Sequence, residues 1–284
     1  MSNFEPDTTF NKKRTIITSS IIGATWVGSI IGLKEVWYKD SWTNNFHTFD
    51  DAAQWMQMDK AGHVYAGSFI TDNIYHAYQW SGLSRNESLI LGTASAFGYL
   101  ATFEILDGFS DDWGFSWADL GANGLGVLWF SWQELVWQEQ RLKLKFSAHL
   151  SPYAKYRPNV LGGTTTERLL KDYNGQTYWL TINPSMFMSE STRFPKWLGI
   201  SLGYSADEKM HGVDNTYYHT NNSGNLEVFN ARRQYLLSLD IDLSQIPAKK
   251  PWLKTLLKTL NHVKVPFPAV EFSSSGTKVH GIYF

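Results

Sequence analysis

The feature that most constrains this chain is a change in hydrophobic period near residue 142. Side chains on a strand alternate between two faces, whereas those on a helix return to the same face every three or four residues. From residue 142 the alternation is plain. In residues 142–146 (LKLKF) apolar side chains alternate with lysine. Over residues 235–243 one face carries Tyr235, Leu237, Leu239, Ile241 and Leu243, and the other carries Leu236, Ser238, Asp240 and Asp242. Upstream, the apolar residues follow helical spacing instead. The sequence therefore predicts an α+β chain. A four-helix, membrane-associated bundle over residues 1–141 is followed by an antiparallel β-sheet or partial barrel over residues 142–284, packed on or beside the bundle.

The helices are expected at about residues 15–38, 55–80, 86–106 and 117–141. Residues 15–33 and 88–103 carry no charge, and segments approaching ~20 apolar residues suit a bilayer. Lys12, Lys13 and Arg14 precede the first stretch, as in an export signal, but Lys34, Glu35 and Trp37 follow it where a small-residue cleavage site would stand. It is therefore read as a helix of the mature protein, with any export signal already removed. Small residues stand four apart in the third and fourth helices: Gly92 and Ala96, Ala94 and Gly98, Ala122 and Gly126. Such spacing lets backbones approach closely, as in helices packed within lipid. Ser116, with Asp119 three residues later, has the form of a capping box that starts the fourth helix.

Strands are expected at residues 142–146, 177–188, 197–204, 235–243, 265–272 and 278–284, with a long loop or lid at 207–225 and a short amphipathic helix at 252–261. Six strands are fewer than the eight of the smallest bacterial barrels, and Pro266 and Pro268 suit an edge or a bulge. A partial sheet is therefore favoured over a free-standing barrel. The 13 Trp, 14 Tyr and 17 Phe fit surfaces where one side of a ring is apolar and the other wet.

A formal charge of −1 offers no basic excess for a nucleic-acid backbone, so no nucleic-acid partner is expected. The absence of Cys removes disulfides, thiolate metal sites and Cys nucleophiles among these 284 residues. No nucleophile elbow accompanies the Ser, His and Asp residues, which argues against a serine hydrolase. His211 and His219 flank Asp214 in the expected loop, an arrangement read as solvated rather than as a second metal site.

Three polar pairs sit at helical spacing: Asp59 with His63, Glu104 with Asp107, and Asp119 with Asn123. Each pair lies on one helix face. The first and third open helices and the second closes one, so an antiparallel bundle brings them toward a common end. Lys60 and Ser116 lie beside them. Asp59, His63 and Glu104 offer carboxylate and imidazole ligands that suit a divalent ion, the only cofactor the sequence suggests. Asp59, His63, Glu104 and Asp119 could instead work as a catalytic acid and base. Alternatively, Lys60, Asp107, Ser116 and Asn123 join them in a buried hydrogen-bond network that sets the helix register.

The series Asp59-Lys60-x-x-His63, Glu104, then Ser116-x-x-Asp119-x-x-x-Asn123-x-x-Gly126 resembles that of VanZ-like membrane proteins. With residues 104–110, 113–126 and 171–179 added, the text resembles more closely an uncharacterised bacterial family of predicted envelope lipoproteins typified by YfiM, in its larger Bacteroidetes form. The shared series covers roughly residues 55–140. The resemblance implies a helical hairpin core and a place in the cell envelope, at the outer membrane or the periplasmic face of a membrane. It implies no reaction. The expected partners are membrane lipid and other outer-membrane proteins of a larger complex. The expected role is an accessory or structural envelope protein. The alternative is a membrane-embedded, metal-dependent or acid/base enzyme acting on a lipid or glycolipid.

Overall fold

A computed structural model describes residues 7, 9–36, 38–39, 41–189 and 192–284. The expected continuation of the first helix through Trp37 lies outside these residues. The chain is α+β, with helices first and an open antiparallel sheet after them. Helices α1 (Lys12–Val36), α2 (Met58–Trp80), α3 (Arg85–Asp107) and α4 (Trp117–Val136) precede strand β1 (Leu142–Ala148). Two short helices follow, α5 (Pro158–Leu161) and α6 (Thr165–Lys171), which the sequence reading missed. Then come β2 (Gln176–Ile182), β3 (Leu198–Asp207), β4 (Thr216–Thr220), β5 (Leu226–Asn230), β6 (Arg232–Ile241), α7 (Pro251–Leu260), β7 (Phe267–Ser273) and β8 (Gly276–Tyr283).

The chain divides into two compact units. One holds residues 1–52, 63–140 and 248–255; the other holds 53–62, 141–247 and 256–284. The first is helical. α3 opens on a reciprocal cap in which Ser84 and Glu87 satisfy each other's backbone N–H groups. α2 and α4 touch through glycines: a Cβ on Gly67 would stand 2.5 Å from the Asn123 carbonyl, and one on Gly126 would stand 2.0 Å from that of Val64. Tyr75, Leu89 and Phe130 form an apolar cluster. Beside it Glu134 accepts from Arg85 Nη2 at 2.6 Å, Tyr75 Oη at 2.9 Å and Gln140 Nε2 at 3.0 Å.

The second unit is built on a six-stranded antiparallel sheet in the order β1-β2-β3-β6-β7-β8, beside a separate β4–β5 hairpin. β1 also carries a parallel bridge from Phe146 to Val263. Trp179, Leu236, Ala269 and Tyr283 form its small apolar centre.

Four expectations about element bounds need correction. The second helix does not begin at Trp55: Trp55, Met56 and Gln57 have φ of 49°, 54° and 61°, a left-handed turn that cannot continue a right-handed helix. The fourth ends at Val136, because Gln138 turns left-handed at φ 62° and Gln140 folds back to donate to the Phe130 carbonyl at 3.1 Å. The strand expected over 177–188 stops at Ile182. Asn183 accepts from the Ser185 N–H, and Pro184 brings no N–H to the ladder. The loop expected over 207–225 is largely structured. Lys209 Nζ donates to the Val213 and Asp214 carbonyls and to Asn215 Oδ1, which anchors the base of the β4–β5 hairpin. Within this segment, His211 lies 3.7 Å from Asp214, while His219 on β4 packs edge-on to Tyr156.

Candidate functional site: a histidine between two carboxylates

In the helical unit, α2 carries the His63 ring, and α3 and α4 present polar side chains to it. The Gly67 and Gly126 contacts bring α2 and α4 close enough for this. His63 Nδ1 stands 3.0 Å from Asn123 Oδ1, and Asn123 Nδ2 donates to Glu104 Oε1 at 3.0 Å. The same Glu104 oxygen is 3.5 Å from Nδ1, and Asp119 Oδ1 is 3.4 Å from Nε2 on the other side of the ring. The side chains of Glu104 and Asp119 are 3% and 8% exposed, and His63 remains 27% exposed.

This pattern bears on where the ring carries its protons. The Asn123 amide spends its N–H on Glu104, so its oxygen faces His63 and takes a proton from Nδ1. A neutral ring protonated there would turn the Nε2 lone pair toward the Asp119 carboxylate. The contact is attractive only if Nε2 also carries a proton, or if a cation lies on that side. The arrangement therefore suits an imidazolium held between two carboxylates or a half-built metal ligand set.

The remaining expected residues are placed as follows. Ser116 caps α4 by accepting from the Asp119 N–H at 3.0 Å, and its own hydroxyl donates to Asp51 at 2.6 Å. The acid half of the expected capping box is thus turned toward His63. Asp107 accepts from the Tyr38 hydroxyl at 2.6 Å. Asp59 and Lys60 belong to the other unit, because the division falls between Gly62 and His63 inside α2. Asp59 keeps its place one turn before His63 along that helix. Its carboxylate accepts from Tyr173 Oη at 2.6 Å and from Lys60 Nζ at 2.8 Å.

The left-handed turn that delivers Asp59 costs roughly 1–2 kcal/mol per non-glycine residue. Three bonds hold it. Trp55 N–H donates to the Gly212 carbonyl at 2.7 Å, the Tyr204 hydroxyl donates to the Met56 carbonyl, and Arg233 Nη2 donates to Gln57 Oε1 at 2.6 Å. Sequence reasoning missed Tyr38, Asp51 and Tyr173 as partners of Asp107, Ser116 and Asp59. Only Tyr173 left a trace, since it sits in the 171–179 stretch that already stood out.

No curated protein and no solved structure matches the chain. Residues 47–131, which hold α2, α3, most of α4 and every residue of the polar series, match a family described as predicted periplasmic lipoprotein (DUF2279), so this part of the chain is similar to an uncharacterised family of cell-envelope lipoproteins.

Proposed function

We propose that the chain is an accessory or structural protein of the bacterial outer membrane, a larger YfiM-type and VanZ-like member of the Bacteroidetes envelope, whose buried polar cluster locks three helices in register. The observation that carries this reading is the wiring of His63: one ring nitrogen faces Asn123 and Glu104, the other faces Asp119, and all three acceptors come from neighbouring helices. A buried polar network drawn from three helices favours one packing of those helices. Membrane lipid is the partner read for the helical unit. α1 and α3 are long and apolar enough to cross a membrane. Ile16, Ile21, Val27 and Ile31 on α1, and Leu125, Leu128 and Trp132 on α4, stand exposed. Other outer-membrane proteins of a larger complex complete the expected set of partners.

A second reading rests on the Asp119 side of the ring. A divalent ion on Nε2 would satisfy that contact as well as a proton does. Glu104 could then serve with His63 as a ligand or acid/base group for a lipid or glycolipid substrate. One experiment separates the two. Protein purified without chelator or metal-affinity tag is analysed for bound metal, and its thermal midpoint is compared with those of His63→Ala and Glu104→Ala. The structural reading expects metal-free protein and lowered midpoints in both variants. Stoichiometric metal that disappears in His63→Ala would replace it with the second reading. Unchanged midpoints in both variants would remove the shared network altogether.

A further inference from the structure

The six-stranded sheet is inside out. In a soluble antiparallel sheet the buried face is apolar and the solvated face polar. Here the register places three rows of outward side chains across the strands. One row reads Leu144, Leu180, Leu202, Leu237, Val270, Val279, one residue from each of the six strands. The row on one side reads Leu142, Ile182, Ile200, Leu239. The row on the other side is aromatic: Phe146, Tyr178, Tyr204, Tyr235, Phe272. Leu202 is 49% exposed, Leu237 43% and Val279 77%. Met56 and Met58 pack against Tyr178 and Tyr204 at the aromatic row, whereas Tyr235 and Phe272 remain exposed.

The opposite face holds the charge. Lys145 and Asp240, both fully buried, pair at 2.6 Å. Lys143 Nζ stands 2.6 Å from Asp242, also fully buried. Lys264 Nζ donates to the Leu239 carbonyl at 2.8 Å. Thr181 and Ser201 bond each other at 2.7 Å, and Ser238 and Glu271 are buried on the same side. Taking these ions out of water costs several kcal/mol each before pairing. A soluble fold would turn the leucine rows inward instead.

We infer that the apolar face of this sheet is bathed in the acyl chains of a lipid bilayer, with the aromatic row at the boundary between hydrocarbon and headgroups. The polarity is that of a transmembrane barrel wall, apolar outward and polar inward, on a sheet that does not close. The band runs from Leu198 to Tyr204 on β3, six steps of about 3.4 Å, or roughly 20 Å along the strand. Past it the same strands turn charged, at Asp207, Arg232 and Arg233. The ~25 Å apolar band of an outer-membrane barrel is of similar height. A protein partner fits less well. Stable interfaces carry about one hydrogen bond per 100–200 Å², and the two aliphatic rows offer no polar side-chain atom to make one. The inference rests on the envelope reading only in that a bilayer must be at hand.

The absence of native Cys makes the test direct. Single cysteines replace Leu202, Leu237 and Val279 on the sheet, Ser223 at the tip of the hairpin, and Ile21 on α1. Each carries an environment-sensitive nitrobenzoxadiazole label. The full-length proteins are reconstituted into phosphatidylethanolamine–phosphatidylglycerol vesicles with or without lipid bearing a nitroxide on its acyl chain. Labels at Leu202, Leu237 and Val279 should emit to the blue and lose most of their emission to the nitroxide lipid, while Ser223 stays quenchable by aqueous iodide. Three sheet labels open to iodide would overturn the inference. So would three labels shielded from both quenchers, which would mean that a second copy or another protein covers the face. If the Ile21 label is quenched by lipid in those cases, the membrane reading of the helices survives the loss of this one. If Ile21 also fails, both readings fall. Val279 lies on the outermost strand, so its result remains available if a central label disturbs folding.

Discussion

The helical unit and the sheet unit solve the same problem with different chemistry. Both expose apolar surface and bury polar groups, yet the helices bury a hydrogen-bond network around one imidazole whereas the sheet buries lysine–aspartate pairs. A helix satisfies its own backbone and can bury separate polar clusters, here one of His63, Glu104, Asp119 and Asn123 and another of Glu134, Arg85 and Tyr75. The sheet, whose alternating side chains leave a whole polar face to be satisfied at once, pairs charge with charge: Lys145 with Asp240 and Lys143 with Asp242. Polar content inside the helices is thus gathered into separate clusters, one at His63 and one at Glu134, and inside the sheet it is spread across strands.

The comparison breaks most sharply at the buried pair. Asp240→Ala leaves the fully buried Lys145 ammonium without its nearest counter-charge. Removing one partner of a buried pair costs about 3–5 kcal/mol, so the sheet should lose most of its margin in denaturant titration. The double variant Lys145→Met with Asp240→Leu should recover most of that loss, because an apolar pair of similar volume is often no worse than a buried ion pair. A single-variant loss below about 1 kcal/mol would mean that water already reaches the pair and that the sheet interior is not dry.

In the helices the expected effects are smaller. His63→Ala and Glu104→Ala should each lower stability by about 1–3 kcal/mol, the cost of leaving a buried partner unmade. Their double variant should fall short of the sum, since both remove the same link to Asn123. Strict additivity would show that the cluster is a set of independent contacts. Gly126→Ala should cost a similar 1–3 kcal/mol by a different route, because its methyl group would stand 2.0 Å from a backbone carbonyl that cannot rotate away. Gly121→Ala on the same helix, with nothing within 4 Å of the added atom, is the matched control and should be neutral or stabilising.

How much of this could be read in the sequence differs between the two units. Strand period was legible because Leu237, Leu239 and Ile241 alternate with Ser238 and Asp240, and the spacing of Asp119 and Asn123 four residues apart pointed to one face of α4, where both stand beside His63. The direction of the sheet was not legible. A period of two says which residues share a face, but not which face is buried, and that was decided by pairing partners such as Lys145 and Asp240, far apart along the chain. The left-handed turn at Trp55–Gln57 was hidden for a related reason. Its residues favour helix locally, and the bonds that reverse them come from Gly212, Tyr204 and Arg233, far along the chain. Asn183 and Pro184, by contrast, were a readable stop signal that the alternation of their neighbours obscured. The β4–β5 hairpin was similarly masked by Gly, Asn and Asp residues that belong to its turns.

The smallest effect bears most directly on the inverted sheet. Leu239 and Leu236 lie on the same strand, three residues apart, and therefore on opposite faces. Leu236 is 2% exposed within the apolar centre, and Leu239 is 43% exposed on the outer face. Leu236→Ala should destabilise by roughly 2–5 kcal/mol through the cavity it opens. Leu239→Ala should change the stability of detergent- or lipid-reconstituted protein by about 0.5 kcal/mol or less, as at an ordinary surface position. Burial of the outer face against a folded protein partner would give the two substitutions comparable costs, since a leucine packed there would leave a cavity of its own. A large gap between them, measured in the same micelles or vesicles, is the signature of a face whose neighbours are fluid chains, because lipid flows into the vacated volume where a protein core would not.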